Sequence, residues 1–332
     1  MPSDMPSDMP SDKPPGMLPQ KTRAIPENLE EAIRELKREK GALLLAHYYQ
    51  ESEVQDLADF VGDSLQLARA AQKVDCERIV FCGVHFMAET AAILNPGLPV
   101  IVPDMKAGCS LADGCPADKF KVFVADHPGA KVLTYINASA AVKAMSDLIC
   151  TSSNAVKMVE YFKGEKLIFA PDRHLARWVA RETGRNDLIV WPGACIVHEL
   201  FSAKGLAKLK LEHPDAEVLA HPECEQAVLD QADFIASTTG IIERAVQFPD
   251  RTAIIATEDG VFHAIQKRVP TKKLFQAPGL DESCACNRCP YMRLNTLEKL
   301  YLCLANDGPQ VQVPEELARQ ARIPIELMLE LS

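Results

Sequence analysis

The 332-residue sequence predicts an α/β protein made of three similar three-layer αβα domains, each with a small parallel sheet, related by pseudo-threefold symmetry around a central site. Three observations predict it. A set of features recurs three times along the chain. The strand-like runs are apolar on both faces, as in a parallel sheet covered by helices. Polar residues of unusual type cluster where those runs end, which is where open α/β sheets bind ligands.

The repeat is anchored on three apolar runs, Ala42 to Tyr49, Val132 to Asn137 and Val218 to Glu223. Aligned on His47, Tyr135 and His221, they stand 88 and 86 residues apart. Twelve residues after each anchor come Asp59, Asp147 and Asp233. Seventeen residues after it come Ser64, Ser152 and Thr238. A further strand begins at Val80, Ile168 and Ile254, and a fourth apolar run ends at Pro103, Pro192 and Pro278. Several features in one register in three copies define a repeat in a way that one coincidence does not. Each unit reads strand, helix, strand, helix, strand, helix, strand, with helices of 8–14 residues making right-handed crossovers.

Residues 1–24 are expected to be a disordered tail, because 1–12 repeat Met-Pro-Ser-Asp and offer nothing to bury. An amphipathic helix follows from Leu29 to about Lys40. The units are then 25–116, 117–200 and 201–332, the last with a C-terminal extension. Hydrophobic residues make up 47% and charged residues 25%, which excludes a fibrous or wholly disordered chain. A net charge of −10 argues against a nucleic-acid or anionic-membrane surface. No apolar run is long enough for a membrane span, and no apolar leader is seen, so a cytoplasmic protein is expected. Eleven cysteines in such a chain read as reduced thiols rather than a disulfide framework.

The residues at the strand ends carry the chemistry. His47, Tyr48 and Tyr49 end the first run, Tyr135, Ile136 and Asn137 the second, and His221, Pro222 and Glu223 the third. Strand alternation puts His47 and Tyr49 on one side and turns Tyr48 away. Ser64, Ser152 and Thr238 each precede a helix, so each could cap it or help its N-terminus hold an anion. His174, His198 and His263 fall off the anchor positions and read as structural or surface residues. Each unit also offers a thiol beyond its fourth strand: Cys109, Cys195 and the run Cys284, Cys286, Cys289. Register alone favours Cys284 as the third, six residues past Pro278 as Cys109 is past Pro103. The compact run could alternatively bind zinc or form a redox pair. Three thiolates leave a structural zinc one ligand short, whereas on a [4Fe–4S] cluster they leave one iron open.

Together these pieces resemble the quinolinate synthase family of de novo NAD biosynthesis. The matching segments are Ala46-His47-Tyr48-Tyr49, Gly62-Asp63-Ser64, Phe86-Met87-Ala88-Glu89-Thr90, Gly108-Cys109-Ser110-Leu111-Ala112, Tyr135-Ile136-Asn137, Cys150-Thr151-Ser152, Pro192-Gly193-Ala194-Cys195, His221-Pro222-Glu223-Cys224, Ser237-Thr238-Thr239-Gly240 and Cys289-Pro290-Tyr291-Met292. They occur in order over roughly residues 28–300, and the ordered set is specific where each motif alone is weak. The resemblance implies a transferase that condenses iminoaspartate (iminosuccinate) with dihydroxyacetone phosphate to quinolinate, phosphate and water. It implies one central [4Fe–4S] cluster per chain, held by Cys109, Cys195 and Cys289, the last marked by Pro290. That displaces Cys284 and leaves Cys284 and Cys286 as a thiol pair that could form a modulating disulfide. An L-aspartate oxidase is implied as the source of iminoaspartate.

The reaction needs proton carriers, and His47, Tyr49, His221 and Glu223 are the catalytic candidates, with Glu223 the base oriented by Pro222. The substrate-binding candidates are His47, Ser64, Tyr135, Ile136, Asn137, Ser152, His221, Pro222, Glu223 and Thr238. Two other readings share the cysteines: a cluster-dependent hydro-lyase on another small polyacid, and a non-catalytic iron–sulfur or zinc redox sensor. A nicotinamide dehydrogenase and a P-loop ATPase are disfavoured, because neither glycine-rich fingerprint occurs.

Overall fold

The computed structural model describes residues 24–72, 74–280 and 287–332. The Met-Pro-Ser-Asp tail and the Cys284–Cys286 pair lie outside the described residues. Twelve strands form three sheets of four. The first unit contributes β1 (Ala42–His47), β2 (Phe60–Gly62), β3 (Arg78–Cys82) and β4 (Val100–Ile101). The second contributes β5 (Lys131–Tyr135), β6 (Leu148–Cys150), β7 (Leu167–Ala170) and β8 (Ile189–Val190). The third contributes β9 (Glu217–Ala220), β10 (Phe234–Ile235), β11 (Ala253–Ala256) and β12 (Leu274–Gln276). Each sheet has its second strand outermost, then its first, third and fourth. Every pairing is parallel.

The repeat seen in sequence is a repeat of register. Leu45 pairs with Phe81, Leu133 with Phe169 and Leu219 with Ile255 at the same place in each sheet. The recurring aspartate now has a physical role. In each unit its backbone N–H donates to a carbonyl early in the first strand, and its carboxylate accepts from that same residue's N–H. Asp59 does this with Leu44 (2.7 Å), Asp147 with Val132 (2.8 Å) and Asp233 with Val218 (2.8 Å). The bracket closes the first crossover and aligns the edge strand. We expect Asp147→Ala to cost about 1–2 kcal/mol, read as a lowered urea midpoint, and Asp147→Asn to cost less because its amide oxygen still accepts.

Both faces of each sheet are buried, by alternate residues. In the first, Leu44, Ala46, Val80 and Cys82 pack on one face while Leu45, Ile79 and Phe81 pack on the other. In the second, Val132, Ile168 and Ala170 oppose Leu133, Leu167 and Phe169. In the third, Val218, Ile254 and Ala256 oppose Leu219, Ala253 and Ile255. This is the three-layer αβα build that doubly apolar strands require.

The helix lengths differ from expectation. The first crossover of each unit holds only a short helix: Ser52–Leu57, Ala140–Lys143 and Gln226–Leu229. The aspartate bracket shortens this connection, so little of the sheet is covered by it. In the first two units the chain's last segment supplies the missing layer. Helix Leu297–Asn306 packs on Leu29–Glu39 against the first sheet. Helix Glu315–Leu331 packs on β6 and on helices of the first and second units. The segment that sequence attaches to the third unit thus lies on the other two.

Candidate active site

The carboxyl ends of β1, β5 and β9 open on one cavity. Each unit lines it with equivalent residues: His47, Tyr49 and Ser64; Tyr135, Asn137 and Ser152; His221, Glu223 and Thr238. Cys109, Cys195 and Cys289 line the same cavity. Strands ending at one level in three units deliver these side chains together, as pseudo-threefold symmetry requires. Phe86, Met87, Tyr291 and Met292 complete the lining.

The hydroxyls are not caps. Ser64 and Thr238 are the first residues of their helices, and their predecessors do the capping. Asp63 Oδ1 accepts from Gln66 N at 3.0 Å, and Ser237 Oγ accepts from Gly240 N at 3.3 Å. Capping one residue earlier leaves Ser64 and Thr238 beside the cavity at a helix N-terminus. In the second unit Asn154 Oδ1 takes the N–H of Thr151 at 2.6 Å, and Ser152 Oγ meets His221 Nε2 at 3.2 Å.

His47 and His221 share one local geometry. The N–H two residues on, from Tyr49 and Glu223, donates to each Nδ1, at 3.1 and 3.4 Å. Nδ1 is therefore the acceptor, and Nε2 carries the proton of the neutral ring. Burial pushes both imidazoles down to about 3, against the attraction of Glu223, so both are neutral donors at physiological pH. Glu223 is itself 2% exposed. Burial works to raise its pKa, but His198 and His221 hold the carboxyl below the usual range and keep it ionised. Burial drives the phenols of Tyr49 and Tyr135 well above 10, and Glu223 adds to this.

His198 is the correction to the sequence reading. It is not a peripheral residue: it is buried on the cavity wall, with Nδ1 2.7 Å from Glu223 Oε2 and its ring stacked 4.7 Å from His221. The one-turn helix Ile196–Glu199 explains it, since residues three apart share a face and Cys195 and His198 turn inward together. The Cys-x-x-His spacing was the available signal, and alignment on strand anchors passed over it. His174 is buried with Nε2 3.3 Å from Glu199, and His263 pairs with Asp56 at 2.9 Å, both away from the cavity lining. Tyr48 points to Gln66 instead of the cavity, as alternation predicted. Ile136 and Pro222 sit in the right turns, but neither side chain lines the cavity.

The cysteines separate by environment. Cys82, Cys115, Cys150, Cys224 and Cys303 are buried core thiols, and the nine cysteines among the described residues are all free. Burial pushes Cys109 up to about 12 and Cys289 to about 11, and it pushes Cys195 well above the ordinary thiol value. Cys289 raises Cys109 further, and Cys109 and Cys289 both raise Cys195, as thiols near one another do. Their sulfurs do not gather within 4.8 Å of one another, whereas Cys195, His198 and Glu223 do present ligand atoms that close. A single zinc at about 2.3 Å from each sulfur would need the tighter spacing. Close backbone approaches hold the cysteine loops. A Cβ on Gly193 would lie 2.4 Å from the carbonyl of Pro171, so only glycine lets the Cys195 loop pass there. Cys289 N donates to the buried Glu258 at 3.4 Å, and Arg293 pairs with the same carboxylate at 2.6 Å.

A buried carboxylate, neutral imidazoles, phenols and unpaired thiols around one concave cavity define an enzyme that works on a small polar molecule. Residues 31–330 match the family model described as quinolinate synthetase A protein, and the chain belongs to that family. Its relatives include the quinolinate synthase of a Synechococcus species, 54% identical over 94% of this chain and 97% of that protein. The quinolinate synthase of Chloroherpeton thalassium is 56% identical over 92% of this chain and 95% of its own length. That of Trichodesmium erythraeum is 54% identical over 94% and 97%. Neither a redox sensor nor a hydro-lyase on another polyacid is favoured by this membership.

Proposed function

We propose that this chain is a quinolinate synthase that condenses iminoaspartate with dihydroxyacetone phosphate, releasing phosphate and water. The observation that carries the reading is the meeting of three free thiols, one from each unit or the segment after it, with Glu223 and two neutral histidines in one cavity. The donor set fits a [4Fe–4S] cluster: three soft ligands, too widely spaced for one zinc, and no fourth cysteine lining the cavity among the described residues. Cys109, Cys195 and Cys289 would hold it. Bound there, the cluster supplies a Lewis-acidic iron.

The protein's own residues supply the rest. Both substrates are anionic, and Ser64, Ser152 and Thr238 stand ready to bind phosphate and carboxylates, with helix-start amides behind Ser64 and Thr238. Tyr135 and Asn137 orient a carboxylate; Asn137 Oδ1 is buried without a protein partner and suits a substrate N–H or O–H. Ile136 and Pro222 shape the turns that present their neighbours. His47 and His221 donate from Nε2 to oxygens that gain negative charge. Glu223 accepts the proton that C–C bond formation and dehydration release, and Tyr49 lines the same cavity. The free cysteines among the described residues suit a reducing, cytoplasmic compartment. The instability of iminoaspartate points to supply by an L-aspartate oxidase. No helix among the described residues is long and apolar enough to cross a membrane.

The test is direct. Protein purified without oxygen and given the two substrates should form quinolinate with one phosphate released for each. Iron-loaded protein that forms none would sink the reading.

A further inference from the structure

The three cysteines that line the cavity are tied to their units in two different ways. In the first two units a backbone bond reaches from the start of the helix after the third strand to the carbonyl two residues before the cysteine. His85 N donates to Ala107 O at 2.7 Å, ahead of Cys109, and Arg173 N donates to Gly193 O at 2.8 Å, ahead of Cys195. The equivalent residue in the third unit is Asp259, three past the end of its third strand as His85 and Arg173 are past theirs. Its N–H makes no such bond to a described residue.

A side chain takes over that tie. Glu258 is fully buried. Its Oε1 accepts from Cys289 N at 3.4 Å, and its Oε2 accepts from Gly260 N at 2.7 Å. Arg293 Nη2 donates to the same Oε1 at 2.6 Å and to Asp259 Oδ1 at 2.8 Å. Its Nη1 lies 2.8 Å from Glu51, in the loop after the first strand of the first unit. Arg293 N also donates to Cys289 O, at 3.2 Å. Both backbone groups of Cys289 are therefore held, one by the buried carboxylate and one by the residue that neutralises it. A carboxylate out of water is kept in place only by such a cation and such donors.

We propose that Glu258, locked by Arg293, is a positioning residue for Cys289, replacing the backbone tie that the other two cysteine segments have. The repeat singles it out. The equivalent position in the first unit is Val84, which has no acceptor to offer, and there the backbone tie is present. Removing Glu258 leaves Arg293 with Asp259 and Glu51, so the change falls on Cys289 and strands no cation. The proposal rests on the [4Fe–4S] reading for its iron arm and on geometry alone for its exchange arm.

Both arms use anaerobically purified, full-length protein. Glu258→Leu should give up iron to a ferrous chelator roughly 10- to 100-fold faster than wild type, the scale of groups that orient metal ligands. The spectrum of the reduced cluster in electron paramagnetic resonance should shift with it. Glu258→Gln, whose amide oxygen still accepts from Cys289 N, should recover most of both. Amide exchange followed by mass spectrometry should speed up in residues 287–294 of Glu258→Leu and stay at the wild-type rate in residues 109–115. Wild-type iron release with unmoved exchange at 287–294 would overturn the proposal. So would exchange that rises equally at 109–115, which would make Glu258 a general stabiliser. A wild-type protein that binds no iron would instead sink the cluster reading, and the exchange rates would still decide the tie. If Glu258→Leu does not fold, Arg293→Lys decides it. That variant keeps the charge and loses the fork, so faster exchange confined to 287–294 is expected, and wild-type exchange there would overturn the proposal.

Discussion

Replacing Cys109, Cys195 or Cys289 with serine, one at a time, should abolish quinolinate formation and strip the bound iron, in each case by a factor of about 10³ or more in rate. The wild type should hold about four irons and four sulfides per chain. The three residues approach one cavity from three separate segments, and no other cysteine among the described residues lines it. Cys76→Ser is the control, since Cys76 is a free, half-buried thiol away from the lining. Iron content and turnover should survive there. Any of the three variants that keeps both iron and turnover would refute the assignment. A Cys284→Ser protein that loses iron while Cys289→Ser keeps it would restore the ligand that register favoured.

The next largest effect is expected at Glu223. Glu223→Gln keeps the shape of a side chain that is 2% exposed and removes only the charge. We expect kcat to fall about 10³-fold, at the scale of a general base, with KM changed little. Part of the loss would come through His198. The Gln amide can offer its N–H₂ to the ring nitrogen 2.7 Å away, which turns the imidazole to the other tautomer. Steady-state kinetics on protein with full iron content reads this directly, and turnover within tenfold of wild type would remove Glu223 from the proposed chemistry. Because the carboxyl is held below the usual range, the wild-type base stays ionised through the neutral region and would be lost only well into acid.

Much of the molecule was legible because a repeat is visible in one dimension. The aspartates at 59, 147 and 233 mark the same turn in each unit, and each makes the same pair of backbone hydrogen bonds. The residues at the ends of β1, β5 and β9 could be named because a parallel sheet delivers strand ends to one edge. His198 was missed for the complementary reason. It belongs to a one-turn helix in a loop beyond the fourth strand, and the strand alignment says nothing about where that loop folds back.

The sequence by itself determined the three units, their strand pattern and the residue types at each strand end. Local hydrogen bonding and the burial of alternating apolar residues act within a unit, so their marks lie within about ninety residues. Only the tertiary structure decided which of these residues meet. It brought the last two helices onto the first two units, turned Ser64 and Thr238 from caps into cavity residues, and set His198 against Glu223. Those outcomes depend on the packing of one unit on another, where the partners are far apart in the chain and no spacing records them.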